Sequence, residues 1–449
     1  MLTGVKANDS EYADAGIIAE DGSYTFSKNS KITTEGEALN SAKTNITILT
    51  KNDSTLSLAS KGKGSVLAST LNIQNKGNVS ITASELKVAM DGSEATAGIT
   101  SGIQIGTMDT YLSRGNNVLK VKGDTTIDVI GKKAVMGIYS MTDSETVFDG
   151  NLKIKVNNTT ADTDATGILG HYHTNGIYAG FNDSTVTVKG DVDITVNGTG
   201  IQANKGGKVN VIGGGSVKID KTDKADQYAL EAEAAEVSMN VATDADGNAI
   251  GGGNRKVVVE GNLGVLDKSY GAAPNNDGTS IINLGLATED SSWRGVAYNE
   301  YRENAVRAEA AQGSEEKDGK INLYLAKGTW TNERFGAVKE GFTGSKLHIL
   351  AGGASEAAAG SIFQKDSNAI TIDNYSGNTN IFYAHTGNGE AADNYAAGDI
   401  VIKHAEKDSV VSLITDNNGV SMDNADSVAN VLNALAGKLT YSNFTNGET

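Results

Sequence analysis

The sequence predicts an all-β chain, wound as a right-handed parallel β-helix (a β-solenoid) with a short capping helix near its C-terminus. Three observations predict it. Short runs alternate strictly between apolar and polar residues, these runs recur as groups, and 54 glycines accompany a single proline in 449 residues. Glycine supplies the turns. The near absence of proline fits strands hydrogen-bonded on both edges, where a missing N–H would break a ladder.

The alternating runs include Thr55-Leu56-Ser57-Leu58, Thr126-Ile127-Asp128-Val129, Lys153-Ile154-Lys155-Val156 and Asp193-Ile194-Thr195-Val196. Each is bounded by Gly, Asn or Asp and reads as a strand with one buried face. Asn52-Asp53-Ser54-Thr55 recurs as Asn182-Asp183-Ser184-Thr185, and Gly137-Ile138-Tyr139 recurs as Gly176-Ile177-Tyr178, with a related Gly200-Ile201. The strand openers Gly123-Asp124, Gly150-Asn151 and Gly190-Asp191 are spaced so that the second gap holds an extra polar stretch, 157–166, read as an inserted loop. Such a period is the mark of a solenoid with about three strands per coil. A single coil cannot bury its apolar face, so neighbours must stack into one core. Coils of roughly 25 residues stacked ~4.8 Å apart would make a rod of roughly 60–85 Å. Aromatics are only 6% of the chain, so that core must be narrow and filled by Ile, Val, Leu and Ala.

The texture changes near residue 285, which divides a repeat region, 1–285, from a C-terminal module, 286–449. Trp293, Tyr298, Tyr301, Tyr324, Trp330 and Phe335 crowd together there, around a charged stretch, 299–319, read as an inserted and partly helical loop. Residues 426–436 are the one convincing helix, with Asp423 or Asn424 as N-cap and Gly437 where a left-handed C-terminal residue is wanted. Val428, Val431, Leu432 and Leu435 form one apolar stripe on it. A solenoid ends in an open strand edge, and an amphipathic helix there can act as a lid.

The formal net charge of −17 disfavours nucleic acid and anionic membranes, whose phosphates are held by clustered Lys and Arg. With no cysteine there is neither disulfide nor thiolate metal site, which fits export through an oxidising compartment. Met1-Leu2-Thr3-Gly4-Val5-Lys6 has neither a basic nor an apolar leader region, so a mature or trimmed piece of a longer protein is expected. No apolar run approaches the length of a membrane-spanning helix.

Over roughly residues 285–449 the chain resembles the passenger domain of autotransporters, the type V secretion proteins of Gram-negative bacteria. The residues that carry the resemblance are Ser292-Trp293-Arg294-Gly295, then Ile321-Asn322-Leu323-Tyr324-Leu325, and Gly328-Thr329-Trp330. They look like that family's C-terminal folding module, in which a Trp-x-Gly strand precedes an alternating strand and a Gly-x-Trp corner. The run Ile370 to Gly377 and the helix around Asn433 look like the segment leading to a membrane barrel. The resemblance implies structural roles for Trp293, Gly295 and Trp330, a place at the bacterial cell surface, and an outer-membrane barrel anchoring the full-length protein. It also implies an adhesin or self-associating scaffold, whose partner would be a host glycan, a protein receptor or another copy. The alternatives are a polysaccharide-cleaving enzyme on the same scaffold and a purely structural stalk.

No catalytic or cofactor site is expected. Gly278-Thr279-Ser280 is similar to a subtilisin-type nucleophile, but His385 follows the serine instead of preceding it. Asn-Asp-Ser at Asn8, Asn52 and Asn182 reads as a turn into a strand. Asp191 with Asp193, and Asp143 with Glu145, alternate as the two carboxylates of a glycan hydrolase could, but the adjacent Asp-Asp expected of pectin-degrading β-helices does not occur. His171 and His173 would share a face if they lay on a strand, but no third metal ligand is identifiable and a solvated turn is the favoured reading. Asp244-Ala245-Asp246-Gly247-Asn248 opens like a calcium loop and lacks its later glutamate, so a plain turn is favoured. Trp293 and Trp330 could stack on sugars, but filling a terminal coil is the favoured role.

Overall fold

The computed structural model describes residues 11–13, 20–62, 67–95, 98–106, 116–160, 173–181, 183–220, 224, 226–266, 280–300, 319–384, 395–415 and 425–441. They are nearly all strand, paired in parallel, as a parallel β-helix requires. The chain forms two compact units. The first holds Met1–Asp220, Tyr228–Ser238 and Ser269–Gly278; the second holds Lys221–Gln227, Met239–Lys268 and Thr279–Thr449.

In the first unit a coil has three strands. Ser144–Phe148, Leu152–Asn158 and Asn175–Gly180 make one coil, and Thr185–Val188, Val192–Val196 and Thr199–Asn204 make the next. Their registers are Glu145↔Thr185, Leu152↔Val192 and Asn175↔Thr199. The strand Asn117–Gly131 runs through a corner that shows only as a register shift between Lys122 and Asp124. Strict alternation of buried and exposed residues along Leu152–Asn158 puts Ile154 in the lumen. Across coils Ile32, Leu58, Val88, Ile127, Ile154, Ile194 and Val217 fall in one register column, and all are buried. β-Branched side chains suit such a column because they are stiff at χ1 and pack well on a pleated face.

Two features of sequence close the lumen. The opener Asp124 accepts the Asn151 N–H at 2.9 Å, Asn151 Oδ1 accepts the Asp191 N–H at 3.0 Å, and Asp191 accepts the Gly214 N–H at 2.9 Å. This side-chain ladder ties each corner to the next. Gly137 and Gly176 form a second column, where a Cβ would lie 2.5 Å from the carbonyl oxygen of the glycine one coil on. Ile154 and Ile194 fill the space those absent side chains leave.

The third strands of the coils depart from alternation. Ile99–Ile105 and Ala134–Met141 are buried along their whole length. Ile103, Ile138, Ile177 and Ile201 stack in register, while Ile99, Ala134, Met136, Tyr139, Met141 and Tyr178 form a separate apolar cluster. Tyr139 and Tyr178 sit 5.5 Å apart.

The second unit begins with three-strand coils and then changes. Val257–Glu260 and Leu263–Leu266 pair with Ser292–Arg294 and Ala297–Asn299, and Ile281–Leu286 pairs with Lys320–Leu325. Before them an antiparallel hairpin, Val241–Thr243 with Ala249–Gly252, leaves the coil. From Gly344–Ala351 onward each coil has two strands, because that strand runs on without a corner. It pairs with both Lys320–Leu325 and Ala369–Ser376. The coils that follow are Ala369–Ser376 with Asn378–Tyr383, and Ile400–Ala405 with Val410–Thr415.

Helix α1, Ala425–Ala436, buries Val431 and Leu435 but leaves Leu432 58% exposed, so the apolar stripe is narrower than the expected four residues. Gly437 donates its N–H to the Asn433 carbonyl at 3.0 Å. Its φ is not in the left-handed region expected of it. The bond to Asn433 continues the helical i to i−4 pattern by one residue, so no left-handed cap is required there. Nor does the helix end the stack, since Leu439–Tyr441 follows it and pairs with Ile400–Ala405.

Burial in these narrow coils has a consequence in alkali. Desolvation pushes the Tyr375 phenol up to about 12 and raises Tyr383 as well. The unfolded phenol ionises near 10, so below that pH the shift has no effect on stability. Between about 10 and 12 the unfolded state loses its proton first, and Tyr375 alone should remove about 2–3 kcal/mol. Denaturant titrations at pH 9, 10 and 11 should show that decline, and Tyr375→Phe should make it shallower, leaving the part that Tyr383 contributes.

Candidate functional surface

The candidate surface is the polar exterior of the first unit, built by register. Lys87, Thr126, Lys153, Asp193 and Ser216 form one outward column, and Asp128, Lys155, Thr195 and Lys218 form another. Lumen-facing residues alternate with them, so the same pattern that makes the core makes the exterior. Charges are matched across coils: Lys153 Nζ lies 2.9 Å from Asp193 Oδ2, Lys189 2.7 Å from Asp149, and Lys120 3.2 Å from Glu145. The Lys153 hydrogen bond, opposed by partial burial and joined by the Ser216 hydroxyl at 3.0 Å, holds the Asp193 carboxyl below the usual range. Such exposed pairs add little stability. What they leave is a surface of hydroxyls, amides and matched charges repeating at the coil spacing. Asn197 extends it, donating to Asn157 Oδ1 at 3.3 Å.

The corners between first and second strands, such as 149–151 and 189–191, are short.

The residues singled out for chemistry are placed as follows. Asp191 is a rung of the corner ladder and Asp193 is an ion-pair partner, so both carboxylates bind their own scaffold. Asp143 lies in a turn with φ 50°, and Glu145 pairs with Lys120. His173 is buried with its carbonyl accepting from Asn175 Nδ2 at 2.9 Å, and His171 lies outside the described residues. Asp244 accepts the Asp246 N–H at 3.0 Å and the Asn248 N–H at 2.8 Å, closing the turn of the hairpin with oxygens a cation would need. The Asn248 side chain, the largest contribution, and these backbone donors hold its carboxyl low. Ser280 is buried and donates to the Leu266 carbonyl at 3.0 Å, an orientation unsuited to a nucleophile; Gly278, Thr279 and His385 lie outside the described residues. Asn52 and Asp53 occupy left-handed turn positions, as does Asp183, while Asn8 and Asn182 lie outside. No group of three or more His, Asp or Glu among the described residues is placed to hold a metal.

Trp293 and Trp330 are buried in the second unit, in register and stacked at 4.7 Å with an interplanar angle of 1°. Trp293 Nε1 donates to the Gly261 carbonyl and Trp330 Nε1 to the Gly295 carbonyl, each at 3.0 Å. A Cβ on Gly295 would lie 2.1 Å from the Gly261 oxygen and 2.9 Å from Trp293 Nε1, which explains the glycine two residues after the ring.

Several buried polar pairs become visible only once the register is known. Gln202 donates to Glu231 at 2.7 Å and Asn204 to Glu233 at 3.0 Å, with the two carboxylates 2% and 4% exposed. Asn322 donates to Asn283 at 2.8 Å in the same manner. The alternation Glu231-Ala232-Glu233 was the only signal for the first two, and it looks the same as an exposed strand edge. Comparison with protein-family models, with curated proteins and with solved structures finds no match to this chain.

Proposed function

We propose that this chain is an adhesive or self-associating scaffold of the autotransporter-passenger kind, displayed at a bacterial cell surface. The supporting observation is the register-locked exterior of the first unit, where Lys87, Thr126, Lys153, Asp193 and Ser216 present polar groups from successive coils. Two such faces can interlock through many hydrogen bonds. Each contributes only about 0.5–1.5 kcal/mol net, whereas association costs about 4–15 kcal/mol in lost freedom. A long contact is therefore needed, and binding through a short one is weak.

The net charge of −17 opposes approach of a second copy. Raising ionic strength from about 0.01 to about 0.15 M shortens the screening length from about 30 to about 8 Å. Sedimentation velocity at tens of micromolar is expected to show association that strengthens over that range. A strict monomer at both ionic strengths would overturn self-association and favour a separate glycan or protein receptor.

A further inference from the structure

In the second unit the sheet of third strands ends at Ala297–Asn299, with no further strand among the described residues. Residues 333–343, between the strands Thr329–Asn332 and Gly344–Ala351, lie over that edge instead. Their attachments are side chains acting where a strand's backbone would. Asn262 Oδ1 accepts the N–H groups of both Val296 and Phe335 at 3.1 Å, and Asn262 Nδ2 donates to the Phe335 carbonyl at 3.2 Å. Ser345 Oγ accepts the Ala297 N–H at 3.0 Å and donates to Asn332 Oδ1 at 2.6 Å. Asn262 and Ser345 are both buried.

Cations then pin the segment along its length. Arg294 pairs with Glu333 at 3.2 Å and lies 5.9 Å from the Phe335 ring. Arg334 pairs with the buried Asp366 at 2.7 Å and lies 5.2 Å from the Phe342 ring. Lys339 meets Glu300 at 2.5 Å and faces Tyr298, which itself packs 6.5 Å from Phe342. Arginine and lysine over aromatic faces gain from the ring quadrupole, more so where water is partly excluded.

We propose that residues 333–343 are a strap that replaces a missing strand, shutting the Ala297 edge and ending the three-strand coil. An open parallel edge would invite strand addition. The strap closes it through side chains, so it opens as a local unit without unwinding the coils on either side. Its removal would uncover Ser345, the residue just past the strap whose hydroxyl holds the Ala297 N–H, and so open that amide to solvent while the Trp293–Trp330 stack stays packed.

Hydrogen exchange on the full chain tests this. In the double variant Asn262→Ala/Arg334→Ala, the Phe335 amide, which loses its Asn262 acceptor, is expected to exchange at least roughly tenfold faster, the equivalent of one lost hydrogen bond. The Ala297 amide, whose Ser345 acceptor the strap covers, is expected to accelerate with it. Tryptophan fluorescence should remain as in the parent. The milder single variant Arg334→Ala keeps the Asn262 bonds to Val296 and Phe335 and loses only the Asp366 pair and the Phe342 contact, and should give a smaller acceleration at the same two amides. An unchanged Ala297 amide with Phe335 released would overturn the proposal. So would loss of the tryptophan signal in either variant, which would make the segment ordinary core.

Discussion

Trp330→Ala is expected to destabilise the second unit by about 3–5 kcal/mol, the usual range for removing a large buried aromatic. Three losses combine. The ring is fully buried, its stacking partner Trp293 lies 4.7 Å away, and the Gly295 carbonyl loses the donor it has at 3.0 Å. The acceptor left unpaired adds its own desolvation penalty. Trp330→Phe keeps a ring and loses the N–H, so about 1–2 kcal/mol is expected of it. The measurement is local, because these are the only two tryptophans in the chain. In a urea titration of either variant, Trp293 fluorescence reports on this coil alone. A shift below about 1 kcal/mol for the alanine variant would mean the coil repacks around the gap.

The glycine column should be as sensitive to addition as the tryptophan pair is to removal. In Gly137→Ala the new Cβ would sit 2.5 Å from both the Gly176 carbonyl oxygen and Ile154 Cγ2. Both distances are below any relaxed contact, and one neighbour is backbone of the adjacent coil. Overpacking of a well-filled core costs about 1–3 kcal/mol and more where backbone must move, so at least about 3 kcal/mol is expected. Gly251→Ala is the control, since nothing lies within 4 Å of its Cβ position and its φ is not left-handed. Its effect should stay within about 0.5 kcal/mol. Denaturant unfolding followed by far-ultraviolet circular dichroism separates the two variants, and equal effects would show that the column tolerates side chains.

The strands and their stacking were legible because the corner signals and the buried positions repeat together. Gly123-Asp124, Gly150-Asn151 and Gly190-Asp191 mark one corner, and the structure pairs Thr125 with Leu152 and Leu152 with Val192. Of the polar surplus at 157–166, Asn157 and Asn158 belong to the strand Leu152–Asn158 and 161–166 lie outside the described residues, while the register on either side is intact. The contraction to two strands per coil was not legible. Gly344–Ala351 has no internal glycine or Asx corner, so in sequence it looks like any other long strand. Ala134–Met141 hid its role differently: burial on both faces removes the polar half of the alternation. Leu432 continues the helical period of Val428, Val431 and Leu435 yet faces solvent, because periodicity gives the width of a stripe but not of the surface beneath it. The polar exterior was readable as composition, whereas its columns, with Lys153 over Asp193, required the register.

The ladder bonds of the first unit also set how it would yield to force. They point from coil to coil, so a pull along the stacking direction loads them one rung at a time, like a zipper, and never all together in shear. Between Val192 and Gly215 one coil holds 23 residues of register. Peeling it would release roughly 80 Å of extended chain at ~3.3–3.6 Å per residue. Rungs tied by the Asp124, Asn151 and Asp191 side chains would give way later than those without such a tie. A stack that yields in this way would dissipate work in small increments and could refold from the rung that remains.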